Sequence, residues 1–312
     1  MRVIKDLKDI PMGCPRISVA LGMFDGVHIG HQSIIRHAVE LARTERGTAA
    51  VLTFSNHPLS VLAPERQPLS IGCPALRREI VQELGVDLLV DIPFSKELSV
   101  LSPEDFLRLL QERMAPVHVV TGPNFTFGFE GKGTGKTLME HGREFGFTAE
   151  VCPAVMRHER PVSSTRVRIL IAEGRLALVN EFLGRCFVYR GQVVHGDERG
   201  RTIGFPTANL EIPETQAMLP KGAYAVRVRV GDEPYIGMAN IGNNPTFAGE
   251  RKIRMEVHID RFAQDIYDDF IEVGFVERLR GEQKFDSAEM LVGQLKQDLE
   301  NVRRIFPLHE SR

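Results

Sequence analysis

The chain of 312 residues has no tryptophan, only four tyrosines and only four cysteines. Cys14, Cys73, Cys152 and Cys186 lie far apart, with no CxxC pair and no Cys–His spacing suited to zinc. That excludes a disulfide framework and a zinc module, and it suits a reducing compartment. Charge of one sign is also missing. Lys and Arg total 39 against 41 for Asp and Glu, and the formal net charge of −2 makes no field favouring nucleic acid or an anionic membrane. No apolar run approaches the roughly 18 residues of a membrane span. The opening "MRVIKDLKDIPMGC" is charged where a signal peptide would be apolar. The expectation is a soluble, cytoplasmic chain with neither nucleic-acid nor membrane partner. What is present is globular: 43% hydrophobic and 26% charged residues, with no internal repeat, in a length suited to one large domain or two ordinary ones.

Two halves follow different grammars. In residues 16–155, apolar runs "ISVALGMF" (17–24), "AAVLTF" (49–54), "DLLVDIPF" (87–94), "VHVVTG" (117–122) and "AEVCPAV" (149–155) read as strands. Helical stretches intervene, among them "HQSIIRHAVELARTERG" (31–47), with Ile34, Ile35, Ala38, Leu41 and Ala42 on one face, and "PEDFLRLLQERM" (103–114). Alternation of apolar strands with helices predicts a parallel, doubly wound sheet, whose ligands bind at the carboxyl ends of the strands. From about residue 186 the pattern becomes five closely spaced strands rich in Val, Ile and Tyr, an antiparallel barrel or sandwich. "SAEMLVGQLKQDLENVRRIF" (287–306) closes the chain as an amphipathic helix with Ser287 at its N-cap.

Residues 131–137, "GKGTGKT", invite comparison with an ATPase phosphate loop. The spacing is wrong. A glycine is required five positions before Gly135, and Glu130 stands there. The segment is expected to be a mobile basic flap carrying Lys132 and Lys136.

A stronger phosphate signal lies in "GMFDGVHIGH" (22–31), at the end of the first strand and the start of the first helix. Gly22, Gly26 and Gly30 permit tight turns, and the following helix presents free N–H groups and its positive end. His28 and His31, three residues apart, can face one site and donate to phosphate oxygens; the alternatives are a metal pair, which lacks a visible third ligand, and ordinary core and surface histidines. Downstream, "VSSTRVR" (162–168) supplies Ser163, Ser164 and Thr165 as N-cap material, with Arg166 and Arg168 in a first turn whose dipole opposes cations. An anion bound there would remove that conflict.

These two elements resemble the (H/T)xGH and ISSTxxR signatures of the nucleotidylyltransferase superfamily. Together with "TFSNHP" (53–58) and "GPNFTFG" (122–128), they are similar to the adenylyltransferase module of bacterial bifunctional riboflavin kinase/FMN adenylyltransferases (FAD synthetases). "GRCFVYRGQVVHGDERGRTIGFPTANL" (184–210), "LPKGAYAV", "ANIGNNPTF" and "MEVHI" resemble that family's riboflavin kinase module, in the family's order. The resemblance implies a Rossmann-like nucleotidylyltransferase domain with a parallel sheet at 1–183. It implies a β-barrel riboflavin kinase domain with a terminal helix at 184–312.

It further implies that riboflavin is phosphorylated by ATP to FMN, and that FMN is then adenylylated by ATP to FAD, with Mg²⁺ assisting and only small molecules as partners. His28 and His31, with Gly22, Phe24, Gly26 and Gly30, would hold ATP phosphates, and Ser164, Thr165 and Arg168 would grip the triphosphate. Phe54, His57 and Pro58 would border the flavin phosphate, with Asn124 near the reacting phosphates. In the second module Gly204 and Pro206 would shape the ATP loop, Thr207 and Asn209 would hold Mg²⁺, and Glu256 would be the general base. Thr126 stands where the family often has Arg, Val257 where it usually has Thr, and Asp268 where it usually has Gly. Two other readings compete: a chain with one working module, and a flavin-binding sensor without turnover. Retention of both histidines, Asn209 and Glu256 favours turnover.

Overall fold

The structure, a computed structural model, describes residues 1–11, 14–196, 199–245 and 251–306. Contacts divide the chain into two units, Met1–Ser70 with Pro74–Ser164, and Ile71–Cys73 with Thr165–Arg312. This division falls two helices before the 183/184 boundary expected from sequence.

The first unit runs β1 (Arg2–Ile4), β2 (Ile17–Leu21), α1 (Ile29–Thr44), β3 (Thr48–Phe54), α2 (Leu59–Leu62), α3 (Pro74–Glu83), β4 (Leu88–Ile92), α4 (Lys96–Ser99) and α5 (Pro103–Met114). It continues with β5 (His118–Thr121), β6 (Thr126–Phe127), β7 (Gly133–Thr134), α6 (Gly135–His141), β8 (Thr148–Val151), and the short hairpin β9 (Met156–Arg157) and β10 (Arg160–Pro161). Six parallel strands form one sheet in the order β1-β4-β3-β2-β5-β8. β2 and β4 are buried at every position, as strands covered on both faces must be. The additional strand β1 is three residues at the sheet edge, too short for any periodicity to announce it. α1 buries Ile34, Ile35, Ala38 and Ala42 as its spacing predicts. α5 has the expected bounds because its signals are local: Ser102 accepts from the Asp105 N–H at 3.1 Å, and Pro103 opens the helix.

The second unit begins with α7 (Ser164–Ala172, its first residue belonging to the first unit) and α8 (Leu176–Leu183). There follow β11 (Phe187–Val194), α9 (Arg199–Thr202), β12 (Ala208–Glu211), β13 (Gly222–Val230), β14 (Glu233–Pro245), β15 (Arg251–Ile259), β16 (Phe270–Gly281) and α10 (Ala288–Ile305). The strands close into a barrel ordered β11-β12-β15-β14-β13-β16. The sequence marks five of them. The sixth, β12, lies inside "FPTANL", which on its own reads as a turn. Tyr189, Phe187, Tyr224 and Phe275 fill the interior with edge-to-face rings 5.0–5.3 Å apart. The Tyr189 hydroxyl donates to Ala217 O and accepts from the Leu219 N–H, both at 3.0 Å, and burial raises its phenol above the ordinary range. α8 docks on the barrel through Asn180, whose amide donates to Phe275 O at 2.9 Å while its oxygen accepts from the Phe187 N–H at 2.7 Å.

α10 covers the outside of β13 and β14, where Val302 and Phe306 pack with Ala225, Met238 and Phe205. Its C-terminal end is tied by a bidentate pair, Arg303 Nε to Asp260 Oδ2 at 3.0 Å and Nη2 to Oδ1 at 2.8 Å. The Arg303 guanidinium holds the Asp260 carboxyl below its usual value. A carboxylate with a lowered folded pKa stabilises above its unfolded value, about 3.9, and loses that contribution as pH falls through the folded value. Asp260→Asn is therefore expected to cost about 1–2 kcal/mol at neutral pH, toward the low end because Arg303 is partly in water. The cost should shrink as pH falls below the ordinary carboxylate value and through the lowered folded one. Denaturant unfolding of both proteins at pH 7 and pH 3 measures it.

Candidate active sites

In the first unit the chain leaves β2 for β3 on one side and, later, for β5 on the other, so the carboxyl ends of β2 and β5 form the switch point of the sheet. Gly22–His31 crosses this point as an irregular turn. Phe24 (φ 48°), Gly26 (φ 74°) and Val27 (φ 37°) are all left-handed, and for Phe24 and Val27 that costs on the order of 1–2 kcal/mol each. Such a turn persists only if its surroundings hold it, and its carbonyls are held. Met23 O accepts from the Thr53 hydroxyl at 3.0 Å and from Arg77 at 3.5 Å. Asp25 O accepts from the Ser164 hydroxyl at 3.0 Å, and Val27 O from the Gln32 amide at 3.0 Å.

The turn delivers His28 as the N-cap of α1, where Nδ1 accepts from the His31 N–H at 3.2 Å. The two imidazoles stack, centroids 3.6 Å apart and planes 18° apart, and the edge of Phe24 meets His31 at 5.3 Å. His28 is buried. A Cβ on Gly30 would stand 3.2 Å from the His28 ring, so glycine there leaves the ring its place. The structure thus brings the two histidines together, ring against ring. Among the described residues no three His, Cys, Asp or Glu side chains gather as metal ligands.

The other expected residues of this module follow neighbouring strands. Phe54 ends β3 and meets Phe94 edge-on at 5.1 Å. His57 and Pro58 follow it, with His57 Nδ1 accepting from the Leu59 N–H at 3.1 Å at the start of α2. Asn124 lies exposed in the turn after β5. Ser164 is the first residue of α7 and its hydroxyl hydrogen-bonds the strained turn; Thr165 and Arg168 follow on the same helix. Four residues that the sequence does not single out support the site: Thr53, Gln32, Arg77 and the buried Asp91. Thr53 lies within "TFSNHP", yet nothing local distinguishes it or the others from ordinary strand and helix residues.

The "GKGTGKT" segment corrects an expectation. It is a regular hairpin and helix start rather than a mobile flap. β7 pairs with β6, and Thr134 caps α6 in a reciprocal box with Thr137. Cβ atoms on Gly133 and Gly135 would stand 2.7 Å from Phe127 and Val151, so both glycines answer to packing. Lys132 pairs with Glu130 at 3.0 Å and Lys136 with Glu140 at 3.4 Å. Thr126, in place of the family's Arg, is exposed on β6.

The second site lies on the barrel. Asn209 on β12 pairs directly with Glu256 on β15, so their side chains share a face, whereas Val257 points into the barrel interior. The Thr/Val departure therefore faces away from Glu256. Thr207 lies just before β12, two residues ahead of Asn209. Above them folds the loop from β11. A Cβ on Gly196 would overlap the Asn209 amide, and one on Gly200 would overlap Phe205 O and approach Thr207 Oγ1 at 3.5 Å. Gly204 takes φ 81°, and Pro206 O accepts from His258 Nδ1 at 2.8 Å, which fixes the loop's far end. Asp268 is left-handed at φ 65°, the conformation for which glycine is suited; aspartate tolerates it better than most residues. The Asp268 N–H donates to Val193 O at 3.0 Å and its carbonyl accepts from Gln192 at 2.9 Å, so the departure is accommodated. Thr246 and Phe247 of "ANIGNNPTF" lie outside the described residues.

A braced strand-to-helix turn at the switch point of a parallel sheet, and a glycine loop over an Asn–carboxylate pair on a small barrel, define a chain of two nucleotide-dependent transferase modules. The comparisons agree. A family model described as FAD synthetase matches residues 13–166, and one described as riboflavin kinase matches residues 183–306. The bifunctional riboflavin kinase/FMN adenylyltransferase of Listeria monocytogenes is 37% identical over 92% of this chain and 92% of its own length. Those of Bacillus subtilis and Escherichia coli are 36% and 35% identical, over 92% and 99% of this chain and 92% and 98% of theirs. A crystal structure described as a macrolide-efflux protein from Streptococcus pneumoniae superposes with a TM-score of 0.87 at 37% identity, covering 97% of this chain and 98% of that one. The chain belongs to the bifunctional riboflavin kinase/FMN adenylyltransferase family. No helix among the described residues is long and apolar enough to cross a membrane.

Proposed function

We propose that the chain phosphorylates riboflavin with ATP at the barrel and adenylylates FMN with ATP at the parallel sheet, each site working with its own residues and the activities dividing at 183/184. The observation that carries this reading is the turn at Gly22–His31, whose strain is offset by hydrogen bonds from four separate parts of the first unit. Strain held in this way pre-organises donors before substrate arrives.

In FAD formation the FMN phosphate attacks the α-phosphorus of ATP and pyrophosphate leaves. No covalent enzyme intermediate is needed, so catalysis consists of positioning and charge neutralisation. His28, His31 and the positive N-terminal end of α1 hold the ATP phosphates, and Ser164, Thr165 and Arg168 hold the triphosphate. Phe54, His57, Pro58 and Asn124 border the flavin phosphate.

In FMN formation the ribityl 5′-hydroxyl attacks the γ-phosphorus and ADP leaves, with Glu256 taking the hydroxyl proton. Thr207 and Asn209 offer neutral oxygens beneath a loop of glycines that a Cβ would fill, a donor set that fits Mg²⁺ shared with phosphates and waters rather than an all-protein cage. Mg²⁺ bound there would neutralise charge on the transferring phosphoryl group. Four cysteines without a disulfide, together with the ATP requirement, support a cytoplasmic setting.

The test is a time course with purified protein, riboflavin, ATP and Mg²⁺, the flavins separated chromatographically. FMN appearing first and FAD after it is the expected outcome. FMN alone, conversion only of supplied FMN, or tight binding without product would each overturn the two-site assignment.

A further inference from the structure

We propose that Arg77, pinned by Asp91, is a positioning residue for adenylyl transfer, acting through the backbone of the two loops that carry the phosphate-holding and flavin-side residues. The proposal rests on the assignment of adenylyl transfer to this edge of the sheet.

Asp91 on β4 is wholly buried, and its carboxylate is divided between two cations: Oδ1 accepts from Arg77 Nη2 at 2.7 Å and Oδ2 from Lys5 Nζ at 2.6 Å. That hydrogen bond anchors one end of the guanidinium. The other terminal nitrogen, Nη1, then donates to Phe54 O at 3.0 Å and reaches Met23 O at 3.5 Å. Each carbonyl lies at a sensitive point. Met23 O sets the peptide plane leading into Phe24, the first left-handed residue of the turn that places His28 and His31. Phe54 O sets the plane on which the chain leaves β3 toward His57 and Pro58. One rigid fork therefore ties together the backbone of two loops from neighbouring strands.

Stability alone is a poor reason for this arrangement, since buried charge pairs are often matched or bettered by apolar side chains of similar volume. Directional reach is a better one. Lysine would keep the charge beside Asp91 but cannot offer planar, divergent donors to a carboxylate and two carbonyls at once. Small misplacement at a site working by positioning can cost about 100-fold in rate.

The test is Arg77→Lys in the full chain, assayed well below its unfolding temperature. Expected are a fall of roughly 10- to 100-fold in kcat for FAD formation, a several-fold rise in KM for FMN, and unchanged phosphorylation of riboflavin by the same molecules. If Arg77→Lys does not fold, the double variant Arg77→Met/Asp91→Leu removes the fork without leaving a buried carboxylate, and is read in the same way. A kcat and KM within twofold of the native values in a folded variant would overturn the proposal. His31→Ala measured alongside separates the two levels. If it retains FAD formation, the assignment of this edge fails; if it loses FAD formation while Arg77→Lys stays native-like, only the positioning role fails.

Discussion

His31→Ala is expected to slow FAD formation from FMN and ATP by about 10²- to 10³-fold while the same molecules phosphorylate riboflavin at the native rate. The imidazole of His31 lies between the stacked ring of His28 and the edge of Phe24, so its orientation is set before ATP binds. A donor held in this way costs no reorganisation at the moment of transfer, and its loss is felt mainly in kcat. His28→Ala should be as severe for a second reason. His28 is also the N-cap of α1, and removing a cap costs about 1 kcal/mol, so this variant should unfold at a lower temperature than His31→Ala. Kinetics of both activities, with thermal unfolding of both variants, check the pair. Loss of riboflavin phosphorylation in either folded variant would count against independent sites.

The sequence carries the local features of this molecule and few of the long-range ones. α5 and α10 have their expected bounds because Ser102 and Ser287 cap them within three residues. His28, His31 and their glycines are legible because one short segment holds the strand end, the turn and the helix start. The braces on that segment are another matter. Ser164 reaches Asp25 across 139 residues, and Arg77 meets Phe54 and Asp91 from a separate helix. No periodicity reports such meetings. Arg77 reads as one more charge on an amphipathic helix, and Asp91 as an anomaly in a buried strand. β12 escapes for a related reason: four residues after a Gly and a Pro become a strand only because β11 and β15 flank them. The family resemblance points to Thr207 and Asn209 without that pairing, but only the pairing explains why Asn209 faces Glu256. The "GKGTGKT" segment errs in the other direction. Its composition suggests a basic flap, while Gly133 and Gly135 are present because Phe127 and Val151 leave no room for a side chain.

Glu256→Gln carries the second large effect, a fall of about 10²- to 10⁴-fold in riboflavin phosphorylation with FAD formation from supplied FMN unchanged. The substitution keeps the shape and hydrogen-bonding reach of the side chain opposite Asn209 and removes only its ability to take a proton. The acid limb of the pH–rate profile for phosphorylation should therefore flatten, since a general base ceases to work once protonated. Asn209→Ala should disable the same reaction differently. Asn209 is buried beneath Gly196 and offers oxygen and nitrogen rather than basicity, so its removal should raise the Mg²⁺ and ATP concentrations needed while the acid limb keeps its native position. The two variants thus separate proton removal from phosphate and cation holding on neighbouring strands of one barrel. If Glu256→Gln phosphorylates riboflavin at the native rate, the proton leaves by another route and the role given to Glu256 is wrong. If Asn209→Ala instead shifts the acid limb and leaves Mg²⁺ dependence alone, Asn209 serves the base rather than the nucleotide.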